Sequence, residues 1–407
     1  MIPYTRKTLP NGLTVVVNRD RASKLAAVNI LYRVGARNEN PARTGFAHLF
    51  EHLMFRGTRA VENFDLPVQM ASGDNNAFTN NDYTDFYITL PKDNLETALW
   101  LESDRMEGLD ITPAKLEAEK KVVIEEFRQR YLNQPYGDQT MLLRALAYKV
   151  HPYRWAAIGL ATDHIAGATL ADVESFYRAH YRPSNAILSI SADMEEERML
   201  ELAEKWFAPL ADHPSATAAI PQEPVQTQAR RQEVERDVPA STVTVAYHMC
   251  ARTKPDFYTA DLVSDLLSGG DSGRLYTHLV KERNLLSSVN AYITGDVDPG
   301  LFVFPGVTPE AAEAAFREEI EALQTTAATA YEIEKVKNKF EANTLFGELN
   351  VMNKAMNLGF YEMLGDLSLI NREVDRYRAV TDEDIRSFSR RTLRPENSST
   401  LIYNARK

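Results

Sequence analysis

The chain has 407 residues, of which 44% are hydrophobic and 25% are charged, and its formal net charge is -11 at pH 7. This is the composition of an ordinary globular protein, and the length predicts two or three domains because one hydrophobic core rarely organises so long a chain. The negative balance argues against a nucleic-acid partner, which needs a basic surface, and the absence of any run of about 18 apolar residues argues against a membrane span.

The chain is predicted to open with three strands. Residues 5–18 read as two strands around Asn11-Gly12, a pair that tolerates positive φ and favours a tight hairpin turn. The next strand is predicted over residues 26–34, and a loop over residues 35–43 leads to the most distinctive stretch of the sequence.

That stretch, residues 44–58, contains the pattern His-Leu-Phe-Glu-His. His48 and His52 are four positions apart, so a helix places their β-carbons on one face, about 5–6 Å apart, where two imidazoles can bind one metal ion. Glu51 borders that face, and Gly57 is the predicted end of the helix. The pattern inverts the His-Glu-x-x-His of common zinc peptidases, and two ordinary half-buried histidines are the alternative interpretation.

The remainder of the first half is predicted to alternate helices and strands. Residues 60–73 are predicted to form a short helix and a turn, and residues 73–90 to form strands, of which the first is polar and suits an exposed edge. Helices are predicted over residues 93–108, 113–132, 138–149, 169–180 and 194–207, and a strand over residues 185–191. Residues 213–232, rich in Ala, Pro, Gln, Ser and Thr, are predicted to link a first domain at 1–212 to a second at 233–407.

The second half is predicted to repeat the order of elements of the first. Its strands are predicted over residues 241–248, 288–294, 301–307 and 399–404. Its helices are predicted over residues 256–268, 309–323, 330–364 and 381–391, with a glycine turn and a further helix within 269–283. The common order indicates a duplicated domain, although no close sequence repeat is visible.

Two histidines do not complete a catalytic zinc site, which usually has three protein ligands and one open position. Three further histidines are candidates for the third ligand: His151, His164 and His180. A carboxylate on a helix that packs against the histidine helix is another source. On the predicted helix 113–132, Glu119 and Glu126 are seven positions apart and therefore share a face, with solvated glutamates as the alternative interpretation.

These residues resemble a known family of metallopeptidases. His48-Leu-Phe-Glu51-His52, followed by Glu126 74 residues after the second histidine, is similar to the inverted zincins, the group of pitrilysin, insulin-degrading enzyme and mitochondrial processing peptidase. The downstream Glu-x6-Glu pattern of this family is matched by Glu119 and Glu126. Further stretches extend the resemblance over most of the chain: Leu9–Leu13, Asn76–Thr79 with Thr84 and Tyr87, and His151–Asn185.

The resemblance implies an α+β fold with two related domains, each an antiparallel β-sheet with helices packed on it. It also implies one Zn²⁺ per chain, held by His48, His52 and Glu126, and zinc lowers the pKa of a bound water toward about 7. Glu51 is then predicted to act as general base toward that water and to pass the proton to the leaving amine. Glu119 is predicted to orient a histidine or to hold the two helices together.

The polar edge strand is the predicted place of the substrate. The residues that the resemblance assigns to this strand are Asn76, Ala77, Phe78 and Thr79. Their strand edge would pair with an extended peptide by β-augmentation, whereas the alternative is an ordinary edge strand blunted by polar residues.

One departure from the family lies in the second half of the chain. Active members carry an Arg and a Tyr, seven positions apart, which bind the substrate carbonyl and stabilise the oxyanion, and the matching positions here are Val280 and Ser287. Arg283 and Tyr292 are nine apart and do not restore the pattern. Some family members divide these roles between two chains. The sequence therefore resembles the zinc-bearing chain of a heterodimer whose homologous partner supplies the Arg and the Tyr, with a homodimer as the alternative.

The predicted function is zinc-dependent hydrolysis of peptide bonds, because the zinc ligands and the base are all present. The competing prediction is a non-catalytic assembly subunit of the same fold, which does not require an intact set. A purely structural zinc site is a third, but such sites are usually closed by four Cys or His ligands. No signal peptide is visible, and a strand-like run so close to the start favours a periplasmic protein without its leader over a cytoplasmic one.

Overall fold

The computed structural model of this protein describes residues 1–213 and 219–406, so that residues 214–218 of the predicted linker lie outside the described residues. The strands are β1 (Thr5–Thr8), β2 (Thr14–Arg19), β3 (Leu25–Tyr32), β4 (Asp74–Thr79), β5 (Thr84–Pro91), β6 (Ala186–Ala192), β7 (Arg230–Arg236), β8 (Thr242–His248), β9 (Tyr292–Ile293), β10 (Leu301–Val307) and β11 (Ser398–Ala405). The helices are α1 (Phe46–Leu53), α2 (Asp65–Met70), α3 (Leu95–Glu107), α4 (Pro113–Phe127), α5 (Gln139–Ala147), α6 (Thr162–Ala166), α7 (Leu170–His180), α8 (Glu196–Phe207), α9 (Asp256–Ser268), α10 (Pro309–Thr325), α11 (Ala330–Gly347), α12 (Val351–Met363), α13 (Leu369–Ala379) and α14 (Asp382–Thr392).

These elements form two compact units, each assembled from three segments of the chain. The first unit consists of Met1–Arg128, Trp155–Ile220 and Leu345–Asn371. The second consists of Gln129–Arg154, Pro221–Thr344 and Arg372–Lys407. Each unit therefore contains one segment from the other half of the chain, which the predicted domain boundaries do not include.

Each unit is built on one sheet, and the five strands of the second sheet repeat the order of five of the six strands of the first, with β1 as the additional strand. The first sheet has the order β1-β2-β6-β3-β5-β4, and the second has the order β7-β11-β8-β10-β9. All neighbours pair antiparallel except β2 with β6 and β7 with β11, which are parallel. In each parallel pair, the first strand (β2 or β7) comes early in its sheet along the chain, and the second (β6 or β11) is the last strand of that sheet along the chain. The predicted fold, two related domains of antiparallel sheet and packed helices, is confirmed, with one parallel pair in each sheet.

The central strands are buried on both faces, because helices cover each side of a sheet. In the first unit, alternate residues of β2 point to opposite faces: Val15 and Val17 enter the main core, whereas Val16 packs with Leu358 of α12. α12 approaches the sheet so closely that a β-carbon at Gly359 would lie 2.8 Å from Oδ1 of Asn29. In the second unit, α5 covers one face of the sheet and α9, α10 and α14 cover the other. Among the described helices, none is long and apolar enough for a membrane crossing.

Several predicted boundaries differ from the structure. The connection between β1 and β2 is not a two-residue turn, because Thr8 pairs with Thr14 and the chain between them turns inward to bury Leu9 and Leu13. The predicted helix 330–364 is two helices, since Asn350 starts α12 with a side-chain bond of 2.8 Å from the N–H of Met352.

Other differences concern the predicted linker and the ends of elements. β7 begins at Arg230, inside the predicted linker, where its pairing with β11 overrides a sequence that lacks a clear period. The predicted strand over 288–294 shortens to β9, and α6 was not predicted. α1 ends at Leu53 rather than near Gly57, which lies in the following turn with φ +99°.

Candidate metal centre

α1 places the two motif histidines and Glu51 at the edge of the core of the first unit. Its apolar side chains are buried in that core: Phe46, Leu49, Phe50 and Leu53. Because those residues fix the orientation of the helix, the motif histidines lie toward α4, against which α1 packs. His48 is 9% exposed, and the side chain of His52 is 24% exposed.

α4 supplies the two predicted carboxylates. The helix starts at a cap in which the hydroxyl of Thr112 accepts the backbone N–H of Lys115 at 3.3 Å. Two helical turns separate Glu119 from Glu126, and both side chains reach the histidines of α1. Glu119 is 1% exposed, whereas the Glu126 side chain is 19% exposed.

Three side chains converge on one point. Oε2 of Glu126 lies 3.6 Å from Nε2 of His48 and 3.3 Å from Nε2 of His52. One ligand atom from each of the three residues lies within 4.8 Å of the others. Two imidazoles and a carboxylate are a donor set that zinc takes, and the two distances to Glu126 match the separation of about 3.3–3.6 Å between ligands held about 2.0–2.2 Å from a tetrahedral zinc.

Glu119 binds the opposite side of His52. Its Oε2 lies 3.3 Å from Nδ1 of His52, and its other oxygen forms an ion pair with Arg56, which follows α1. A bond at Nδ1 turns the second ring nitrogen of His52 toward Glu126. The geometry is that of a carboxylate that orients a metal-binding histidine.

The carboxylates also change the protonation of this cluster. Burial lowers the pKa of His52, but hydrogen bonds to Glu119 and Glu126 overcome burial and raise the pKa to about 9. Burial raises the pKa of Glu119, and His52 and Arg56 together bring it below its ordinary value. The raised pKa favours the protonated form of His52 at neutral pH, so a metal ion that bound this cluster would have to displace that proton.

Glu51 lies on α1 directly before His52, close to the predicted substrate strand. α1 packs against β4 and β5, and β4 is the last strand in the order of the first sheet. Burial raises the pKa of Tyr87 on β5, and nearby carboxylates, including that of Glu51, raise it further. Asn76 of β4 is the register partner of Tyr87. The four predicted substrate residues all lie on β4: Asn76, Ala77, Phe78 and Thr79.

The other candidate histidines lie in different surroundings. Nδ1 of His164 accepts the backbone N–H of Thr44 at 3.1 Å. His180 packs against Phe176 with ring centroids 4.6 Å apart, and burial lowers its pKa to about 4. His151 belongs to the second unit, where its ring accepts the N–H of Tyr153 and its Nε2 lies 3.2 Å from Asp298. None of the three joins the group of His48, His52 and Glu126 in the described part of the chain.

Two residues that shape this centre were not predicted. Arg56 lies four positions after His52, inside the helix that was predicted to end at Gly57, and this spacing could have indicated it although α1 ends at Leu53. Glu39 precedes α1 and accepts backbone N–H bonds from its first turn. No local sequence pattern indicates Glu39, because the backbone N–H groups that it binds are six and eight residues further along the chain, across the loop.

Comparison with known proteins identifies the chain. The sequence model of the insulinase group, described as peptidase family M16, matches residues 14–155, and that of the peptidase M16 inactive domain matches residues 167–340. The chain belongs to peptidase family M16. The part matched by the first M16 model contains the whole cluster described above, and the part matched by the second contains Val280 and Ser287.

Named M16 relatives and solved structures agree with this assignment. A protein of Helicobacter pylori named zinc protease PqqE is 33% identical over 341 residues, which are 81% of this chain and 77% of that protein. A probable mitochondrial-processing peptidase subunit beta of Arabidopsis thaliana is 26% identical over 315 residues, covering 74% of this chain and 59% of its own length. The crystal structure of a protease from Helicobacter pylori superimposes with a TM-score of 0.95 at 28% identity, over 99% of this chain and 100% of that chain.

Proposed function

We propose that this chain is a zinc-dependent endopeptidase in which His48, His52 and Glu126 hold one Zn²⁺. The observation that carries the proposal is the approach of Glu126 Oε2 to the Nε2 atoms of both histidines, at 3.6 and 3.3 Å. A zinc ion held by these residues would supply a Lewis acid for a peptide carbonyl and for an attacking water near neutral pH. The names of the relatives, zinc proteases, support the same metal.

Glu51 is the proposed general base. Its carboxylate accepts a proton from the attacking water as the water oxygen bonds to the carbonyl carbon. The same proton then passes from Glu51 to the amide nitrogen as the carbon–nitrogen bond breaks, which releases an amine and regenerates the carboxylate. Glu119 keeps His52 turned toward Glu126 during this cycle through the contact at Nδ1.

The substrate is proposed to be an extended peptide that adds a strand to the edge of the first sheet. β4 is the last strand in the order of that sheet and pairs only with β5 among the described strands, and α1 packs against β4. Main-chain hydrogen bonds to the segment from Asn76 to Thr79 would place a peptide bond near Glu51. This mode selects extended peptides rather than folded helices.

A homologous second chain is proposed to complete the site. Val280 cannot donate a hydrogen bond from its side chain, and Ser287 is shorter than the tyrosine of active family members. The arginines that could substitute locally are engaged in ion pairs in the second unit, Arg274 with Glu332 at 2.6 Å and Arg283 with Glu318 at 2.7 Å. The relatives named as subunit beta of a processing peptidase support a divided enzyme.

Substitution by local residues, alone or in a homodimer, remains the alternative to a second chain, and Tyr276 and Tyr292 are its candidate hydroxyl donors. The non-catalytic assembly subunit is the second candidate function, favoured by the match of residues 167–340 to a domain described as inactive. The periplasmic location stays a prediction.

The test of this function is a peptidase assay on the zinc-loaded chain, with and without a homologous chain that carries the Arg and the Tyr. Glu51→Gln should abolish the activity and keep the zinc, because the amide cannot accept a proton. Glu197→Gln, an exposed glutamate of α8 in the same unit, is the matched control and should change neither. Equal activity in Glu51→Gln and wild type would remove Glu51 from the mechanism. No activity in any combination would favour the assembly subunit.

A further inference from the structure

We propose that Glu39 is a positioning residue for the metal centre: its buried carboxylate fixes the first turn of α1 and, through that turn, the place of His48. This inference rests on the proposed function, because it concerns how the proposed ligand set is held. The hydrogen bonds of Glu39 go to the backbone of Gly45 and Ala47 and to the indole of Trp155, so its role is to position the helix and not to catalyse.

The contacts of Glu39 are those of a helix cap supplied from outside the helix. One oxygen accepts the backbone N–H of Gly45 at 2.9 Å, and the other accepts that of Ala47 at 2.9 Å. The first N–H groups of a helix lack partners within the helix, and the two bonds to Glu39 supply partners to two of these groups. The residue is 6% exposed, so water does not readily replace these bonds.

A residue outside the helix supplies the cap, because the residue at the N-cap position of α1 is a glycine. Gly45 starts α1 with φ +90°, a conformation that disfavours residues with side chains. A β-carbon there would lie 2.6 Å from the carbonyl oxygen of Ile158. No Ser, Thr or Asp can therefore cap this helix from the N-cap position, and Glu39 takes over that role from the preceding loop.

A second segment holds Glu39 and the start of α1 together. The indole N–H of Trp155 donates to the carboxylate of Glu39 and to the carbonyl of Ala36, both at 3.1 Å. The hydroxyl of Thr44, the residue before Gly45, accepts the backbone N–H of Leu160 at 2.7 Å. Trp155 is 1% exposed, so this anchor lies inside the first unit.

The bonds of Glu39 affect the position of His48 more directly than that of His52. Ala47, whose N–H is bound by Glu39, directly precedes His48, whereas His52 lies a full turn later and is oriented by Glu119. Helix ends fray unless they are capped. Loss of the Glu39 bonds should therefore loosen His48 relative to Glu126 on the neighbouring helix, while the contacts of His52 remain.

The experiment measures the zinc affinity of the purified full chain by competition with a chromophoric chelator. In Glu39→Gln, the amide NH2 would face one of the two backbone donors, so one bond is lost at nearly constant volume. We expect zinc binding about tenfold weaker, the lower end of what loss of a supporting partner costs a metal site. Trp155→Phe removes the indole donor, keeps an aromatic ring, and should weaken zinc binding in the same direction by a smaller factor.

The matched control is Asp384→Asn, which changes a capping carboxylate of α14 in the second unit. Asp384 accepts the backbone N–H of Thr381 at 2.8 Å, so its loss should lower the melting temperature. It should leave zinc affinity unchanged, which separates positioning from general stability.

Unchanged zinc affinity in folded Glu39→Gln would overturn the inference and leave Glu39 as a stabilising cap only. If Glu39→Gln does not fold, Trp155→Phe decides, and wild-type affinity in that variant overturns the inference equally. A failure of the proposed function is distinguishable from a failure of this inference, because His48→Ala would then bind zinc as tightly as the wild type.

Discussion

Replacing Glu119 by Gln tests how the second carboxylate of α4 serves the metal centre. The carboxylate is almost fully buried and contacts Nδ1 of His52 at 3.3 Å, and its other oxygen pairs with Arg56. The amide keeps the size of the side chain but removes the charge. Arg56, whose side chain is 49% exposed, can turn to solvent, so the fold should survive.

Two effects of opposite sign determine how much Glu119→Gln changes the zinc affinity. Loss of a carboxylate that orients a metal-binding histidine typically weakens metal binding about 10–100-fold, or about 1.4–2.7 kcal/mol. Against this, zinc at pH 7 must displace a proton from His52, whose pKa is about 9. That displacement costs about 2.7 kcal/mol for two pH units. Without the charge of Glu119 the pKa falls, and part of this cost disappears.

The expected result is therefore a loss of zinc affinity that depends on pH. Above pH 9, where no proton is displaced, Glu119→Gln should bind zinc about 10–100-fold more weakly than the wild type. At pH 7 the difference should be smaller. The assay is a chelator competition at both pH values, with Glu117→Gln as control, because Glu117 lies on the same helix but its side chain is 60% exposed and binds Lys120. Equal affinities of Glu119→Gln and wild type at both pH values would refute this role.

Three further predictions concern the base, the metal-free protein and the partner. Glu51→Gln should keep its zinc and lose turnover by about 10²–10⁴-fold, the usual contribution of a general base, as measured by peptide cleavage beside metal analysis. In the metal-free chain, the raised pKa of His52 contributes stability that is fully present below its unfolded pKa of about 6.5 and is lost as the pH rises through about 9. That contribution is about 3 kcal/mol at most, and urea unfolding should show it in the wild type and not in His52→Gln. Without a partner, turnover should be reduced by at least the factor of about 10²–10³ that one missing oxyanion donor costs; strong activity that a homologous chain does not increase would contradict the divided site.

The local parts of the fold were predictable because their signals are local. The spacing of His48 and His52 and the apolar residues between them predict α1, and the alternation after residue 73 predicts β4 and β5. The order of strands in each sheet could not be predicted, since it depends on pairings between distant segments such as β2 with β6. The break after Gly347 was missed because apolar residues continue through it with helical spacing.

The residues of the candidate site also differ in how far the sequence alone could predict them. His48, His52 and Glu51 follow from one helical motif, and Glu126 is a candidate because it shares a helix face with Glu119, a candidate that the family spacing then selects. Glu39 depends on the close approach of Ile158 to Gly45, a steric fact that exists only in the folded chain. The sequence therefore indicates which residues carry the chemistry more readily than it indicates which residues hold them in place.

The most direct test of the central claim is the zinc content of the purified chain beside that of His52→Ala, measured by elemental analysis after exhaustive dialysis. The account predicts one zinc per wild-type chain and little in the variant, because His52 Nε2 faces Glu126 at 3.3 Å and no other described histidine lies in the cluster to replace it. His213→Ala, an exposed histidine of the same unit outside the cluster, should retain the full zinc content. Undiminished zinc in His52→Ala would contradict the assignment of this cluster as the metal centre.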